Sequence, residues 1–130
     1  MAAACSTEEG GFLETYKQQV ETLGDLTIVR PSGFIDAHTA PELERALNNL
    51  VSERRFKVIL DCQLMDYISS AGLGVLMGAI STYRQNQGDL KIAQMPAKVF
   101  KVFDLLGFSK LFEVFDTKEE AIAAFREGSA

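Results

Sequence analysis

Lys57-Val58-Ile59-Leu60-Asp61 carries three consecutive apolar residues and shows no polar alternation. A strand with one wet face alternates, whereas a strand covered on both faces reads as a continuous apolar run. This stretch therefore asks for a sheet with helices on both sides, which requires helical crossovers between parallel strands. The rest of the chain supplies them. Thr39-Ala40-Pro41-Glu42 has the T-x-x-E spacing of a capping box. Pro41 is permitted there because first-turn amides have no intrahelical acceptor. Leu43, Ala46, Leu47, Leu50 and Val51 then recur on one helical face. A second helix is predicted over residues 70–87, carried by Leu73, Leu76, Met77, Ile80 and Tyr83. A third spans 97–106, with Val99, Val102, Phe103 and Leu106 on one face and Gly107 placed as a left-handed cap. Thr117-Lys118-Glu119-Glu120 is a second capping box, opening a helix that turns Ala121, Ile122 and Phe125 inward.

The strands between them are residues 16–23 as an edge, 26–29, 57–61, 90–93 and 112–115. Pro31 and Gly33 suggest that the second strand continues through a bend or bulge rather than as a central strand. The order is β-β-α-β-α-β-α-β-α. It predicts a single α/β domain over residues 15–128, with a mostly parallel four- to five-stranded sheet and about four helices. Residues 1–14, small and polar with Cys5 among them, read as a disordered tail.

Composition narrows the function. The 130 residues are 47% hydrophobic, enough for one core without metal or disulfide support. Thirteen basic against eighteen acidic residues leave a net charge of -5, which argues against nucleic acid and against an anionic membrane surface. Two cysteines, Cys5 and Cys62, and a single histidine, His38, give no zinc-ligand spacing and no expected disulfide. No apolar run is long enough to span a bilayer. The expectation is a cytoplasmic protein with no cofactor.

In such sheets, sites form where strand C-termini meet helix N-termini. Tyr67-Ile68-Ser69-Ser70-Ala71-Gly72-Leu73-Gly74 occupies that place. One serine suffices to cap a helix, so two adjacent serines leave a hydroxyl to account for. A helix start favours a phosphate through its unpaired amides and partial positive charge. A nucleophilic serine is the rival reading. It lacks the G-x-S-x-G elbow, and only His38 is available as a histidine base. Gly72-Leu73-Gly74 completes no nucleotide-binding loop, so close packing of a helix start is its simpler role. Asp36 and Asp61 each end a strand-like run, and with Asp66 they would shape the charge around the serines. Gly74, Gly78 and Ser81 form a stripe of small residues on the second helix, suited either to tight packing or to a docking partner.

The segment from Val58 to Val75, VILDCQLMDYISSAGLGV, resembles the signature of the STAS family (sulfate transporter and anti-sigma factor antagonist). Gly33-Phe34-Ile35-Asp36-Ala37-His38-Thr39-Ala40 is similar to the family's earlier G-x-[Leu/Ile]-Asp…Thr-Ala stretch, and FDLLGFSKLFEVF, from Phe103 to Phe115, to its closing helix–strand segment. The three resemblances occur in family order and cover most of residues 16–127. They imply an anti-sigma factor antagonist that binds an anti-sigma factor with serine kinase activity and so frees a sigma factor. Phosphorylation of one serine ends binding, and a PP2C-type phosphatase resets the switch. Aligned without a gap, the phosphoacceptor falls on Ser70, with Ser69 as the minor alternative. The family's strand-terminal Asp falls on Asp61 and its early loop Asp on Asp36. The expected partner-binding set is Asp36, Asp61, Ser69, Ser70, Ala71, Gly72, Gly74 and Gly78, on a monomer or weak dimer. The carboxylate that usually precedes the phosphoserine is Ser69 here, and the hydroxyl residue that usually follows it is Ala71. The alternative that the family allows is a non-switching STAS module of a transporter or multiprotein scaffold.

Overall fold

The computed structural model describes residues 16–128; the expected tail at 1–14 and Cys5 lie outside the described residues. In chain order the elements are β1 (Lys17–Leu23), β2 (Leu26–Ile35), α1 (Ala40–Ser52), β3 (Lys57–Asp61), β4 (Met65–Ile68), α2 (Ser70–Gln85), β5 (Asp89–Ala93), α3 (Ala97–Leu105), a single 3-10 turn (Phe108–Lys110), β6 (Val114–Phe115) and α4 (Lys118–Gly128). The sheet runs β1-β2-β3-β5-β6, and β4 pairs with the far end of β2. Among the described residues only the β1–β2 hairpin is antiparallel; the other pairings are parallel.

The both-faces reading of residues 57–61 holds. Val58 and Leu60 enter the larger core beneath α1, α2 and the inner side of α3, while Ile59 enters the smaller core beneath α4. All three are fully buried. Period-two alternation within a strand sends neighbours to opposite faces, and both faces are covered.

Four expectations are corrected. The sheet has six strands rather than four to five, because Met65–Ile68 forms a short strand too brief to show a period. Strand β2 is continuous through Pro31 and Gly33 and sits inside the sheet, between β1 on one side and β3 and β4 on the other. The expected irregularity is real but local: the β2–β4 register shifts between Gly33 and Phe34, and Gly33 takes φ +99°, a conformation open to glycine. Val102 and Leu106, placed on the core face of α3, are 44% and 58% exposed, and Met77 of α2 is also exposed. Only Val99 and Phe103 of α3 are buried, because a short helix over a sheet end buries a narrow stripe. The last strand is two residues long, with Phe112 buried ahead of it in the loop.

Two termini match the sequence reading. Gly107 is left-handed, φ +86°, after α3. The Thr117 hydroxyl accepts the Glu120 amide while the Glu120 carboxylate accepts the Thr117 amide, a closed capping box. The equivalent box at Thr39 does not form. Its hydroxyl donates to the Phe34 carbonyl and accepts the Asp36 amide, so it is not free to cap α1.

Candidate functional site

The site grows from the end of β2. Phe34 and Ile35 pair in parallel with Tyr67 and Ile68, which brings the chain after each strand out at the same end of the sheet. The Ser69 amide donates to the Ile35 carbonyl at 2.8 Å, joining the start of α2 to the residue before Asp36. Asp36 then turns the chain. Its carboxylate accepts the amides of His38 (2.9 Å) and Thr39 (3.1 Å), and its carbonyl accepts the Ala40 amide. Aspartate thus orders the turn ahead of α1, by the side-chain-to-backbone bonding that favours Asp in turns, and no side chain caps the helix itself. These amides, the Thr39 one foremost, hold the Asp36 carboxyl below the ordinary carboxylate range, so it stays charged beside α2.

The two serines divide the roles. Ser69 is the N-cap: its backbone is extended, its Oγ accepts the Gly72 amide at 3.3 Å, and its carbonyl accepts the Leu73 amide. Ser70 is the first residue of α2 and is exposed. Its hydroxyl has no hydrogen-bond partner among the described residues. Neither serine hydroxyl bonds to His38, which is exposed and offers only its backbone amide to Asp36. The Ser–His arrangement that nucleophilic catalysis needs is not assembled. Among the described residues no three His, Cys, Asp or Glu side chains converge as metal ligands, and no helix is long and apolar enough to cross a membrane.

The glycines separate in the same way. A Cβ on Gly72 would lie 2.7 Å from side-chain carbons of Ile35 and of Ile68. Gly72 therefore lets α2 seat directly on the β2–β4 pair. Gly74 and Gly78 are exposed and a Cβ would meet nothing within 4 Å, so tight packing against the sheet is not their role. With exposed Ser81 they leave one side of α2 bare. Ala71 is half-buried beside Ser70.

Asp61 does not join this group. It is 1% exposed and lies on the α4 face of the sheet, the face opposite α2. Its carboxylate accepts Arg30 Nε at 2.9 Å, Gln94 Nε2 at 2.9 Å and the Gln63 amide at 3.1 Å. Gln94 adopts φ +58° just after β5 in making that bond. Cys62, next in sequence, is fully buried, and burial pushes its thiol pKa up, which keeps it a protonated, inert packing group. Asp66 is exposed on β4, across a small groove from Lys98.

Sequence reasoning missed the apolar part of this end. Phe34 and Tyr67 are each 47% exposed and their rings touch, with centroids 5.9 Å apart. Tyr67 shares its groove with Val102 of α3. Exposed rings side by side beside a charged loop have the composition of an interface core. The periodicity of α3 pointed the wrong way for Val102. Phe34 takes the face of β2 opposite Ile35, and the register shift, which skips Asp66 on β4, sets its ring against Tyr67. A cleft of about 970 Å³ between α3 and β6 is lined by none of the predicted site residues.

Comparison with known proteins bears on the family and the fold. The STAS domain family model matches residues 17–121. The chain is 34% identical to a candidate anti-sigma factor antagonist, BtrV, of Bordetella bronchiseptica, over 85% of this chain and 95% of that protein. It is 32% identical to the anti-sigma-B factor antagonist of Listeria monocytogenes, over 68% of this chain and 78% of the relative. A crystal structure of an anti-sigma factor antagonist from Mycobacterium paratuberculosis superposes with a TM-score of 0.79 at 25% identity, covering 86% of this chain and 95% of the other.

Proposed function

This chain belongs to the STAS domain family, and on that premise we propose that it is an anti-sigma factor antagonist whose binding is switched by phosphorylation of Ser70. It is a binding module rather than an enzyme. Its partner is an anti-sigma factor with serine kinase activity, and a PP2C-type phosphatase restores the binding form. The observation that carries the reading is the division of labour at the start of α2. Ser69 is spent on the cap, while Ser70 is exposed and its hydroxyl is uncommitted.

The mechanism is local. Unphosphorylated, the partner meets Asp36, Ser69, Ser70, Ala71 and the bare side of α2 at Gly74 and Gly78, with Phe34 and Tyr67 alongside. Gly72 and Asp61 hold this surface in place from beneath and from the opposite face of the sheet. Phosphate on Ser70 brings roughly -1.5 to -2 charge to a spot the partner must desolvate. Asp36, already anionic, adds repulsion. Burying such a charge unpaired costs several kcal/mol, and every 1.4 kcal/mol is a tenfold loss of affinity. No rearrangement of the fold is required.

The test pairs binding with phosphosite mapping. The anti-sigma partner is recovered by pull-down from the source cell and titrated against Ser70→Ala and Ser70→Asp. Ser70→Ala should bind as the parent does and accept no phosphate, while Ser70→Asp should lose about a hundredfold in affinity. Equal binding by both variants, with no phosphate transferred to the parent chain, overturns the reading.

A further inference from the structure

We propose that a second copy of this chain pairs with the first along β1, antiparallel, with Lys17 of each copy opposite Glu21 of the other. The inference does not rest on the phosphorylation switch and concerns the other side of β2.

Strand β1 is seven residues long, and among the described residues its only strand partner is β2. The ladder is regular from Lys17↔Ser32 to Leu23↔Leu26, with no register shift to twist the edge away. Pro31 shows which groups face outward. It lies opposite Gln18 and has no N–H, so Gln18↔Pro31 is a non-hydrogen-bonded pair. By alternation Gln18, Val20 and Thr22 direct their amides and carbonyls away from β2. They form an open row of donors and acceptors, the template that invites another strand. The opposite edge of the sheet, β6, is only two residues long.

Natural edges are blunted by proline, bulges or charge, lysine above all. This edge carries Lys17, but it also carries Glu21, four residues on and on the same face. Both are exposed, and neither has an ion-pair or hydrogen-bond partner among the described residues. A two-fold axis through Gln19 sets each lysine opposite the other copy's glutamate. It also aligns Gln18 with Val20, whose outward groups then exchange hydrogen bonds. The charge that would repel an unrelated strand thus selects this one. Val20, 50% exposed, gains cover beside Gln18 of the second copy. Ser70 and Asp36 follow the ends of β4 and β2, on the other side of β2 from the edge that would pair, so both copies keep the α2 surface free.

Sedimentation equilibrium over a range of concentrations reads the outcome. The parent chain should reach a dimer. Val20→Pro removes an outward amide without removing a β1–β2 bond, and should give a monomer that melts where the parent does once the parent is diluted to monomer. Lys17→Glu should weaken association about tenfold through two lost pairs and new repulsion. Adding Glu21→Lys to Lys17→Glu should restore it. A parent chain that stays monomeric at millimolar concentration overturns the proposal. So does a dimer indifferent to Val20→Pro, or a charge swap that fails to recover association.

Discussion

Asp36 and Asp61 both sit at the C-terminal end of a strand in the same sheet, yet they live in different physical worlds. Asp36 follows β2, stays partly exposed, and accepts two backbone amides of its own loop. Asp61 ends β3 on the α4 face, is 1% exposed, and accepts from Arg30, Gln94 and Gln63, which come from three different places in the chain. The first shapes a local turn at a surface; the second ties strands together across the sheet. A buried carboxylate must be paired, so its partners are part of the fold. A carboxylate in a turn can be read by a visitor as well as by its own backbone. Position at a strand end therefore says little about role until the face of the sheet is known.

The largest expected effect tests the buried member. Asp61→Ala strands the Arg30 guanidinium, which stays only one-fifth exposed. The loss should be about 3 kcal/mol, the low end for breaking a buried pair, since Arg30 retains some solvent. Urea denaturation measures it, and replacing Arg30 by Met in the same chain should recover part of the loss. If Asp61→Ala weakens partner binding without lowering stability, the contrast with Asp36 collapses.

Next comes the seat on which α2 rests. Gly72→Ala must push Ile35 or Ile68 aside, an overpacking cost of about 1–3 kcal/mol. Gly74→Ala meets nothing, and in a helix interior it should stabilise by up to about 1 kcal/mol. The pair of thermal midpoints should move in opposite directions. Gly74→Ala should nonetheless weaken docking of the anti-sigma partner, because the added methyl stands on the bare side of α2.

Asp36→Ala should cost less stability than Gly72→Ala, since water can replace the lost carboxylate at an exposed loop. Its larger consequence should be in partner affinity, measured by calorimetry, through a loosened loop beside Ser70. The smallest effect is acid sensitivity. The folded-state pKa of Asp36 is depressed, so its contribution is fully present above the unfolded value of about 4 and lost as pH falls through the folded one. Carboxyl NMR titration should show Asp36 protonating below the ordinary Asp range. A midpoint at or above it would mean that the amides of His38 and Thr39 do not hold the charge.

The two T-x-x-E boxes show how far local pattern reaches. At Thr117 the sequence motif and the observed bonds coincide, because no residue upstream competes for the hydroxyl. At Thr39 the same spacing stands three residues after an aspartate and five after a carbonyl at the end of a parallel strand, and both claim the hydroxyl. The serines were more legible. Two adjacent hydroxyls at a strand-to-helix junction implied one cap and one free group, and the family register pointed to Ser70 as the acceptor. The apolar rings beside them were not legible, because an exposed Phe34 and a buried Ile35 look alike to any hydrophobicity count.

The sequence by itself determined the alternating architecture, the helix faces of α1 and α4, most of that of α2, and the serine that caps it. Periods, caps and runs are local properties that survive without knowledge of neighbours. Tertiary structure alone decided the sixth strand, the face taken by Asp61, the outward turn of Phe34 and Val102, and which glycine packs and which lies bare. Each of these depends on register between segments distant in the chain. A shift of one residue in a strand moves every side chain to the opposite face, and no local pattern records it.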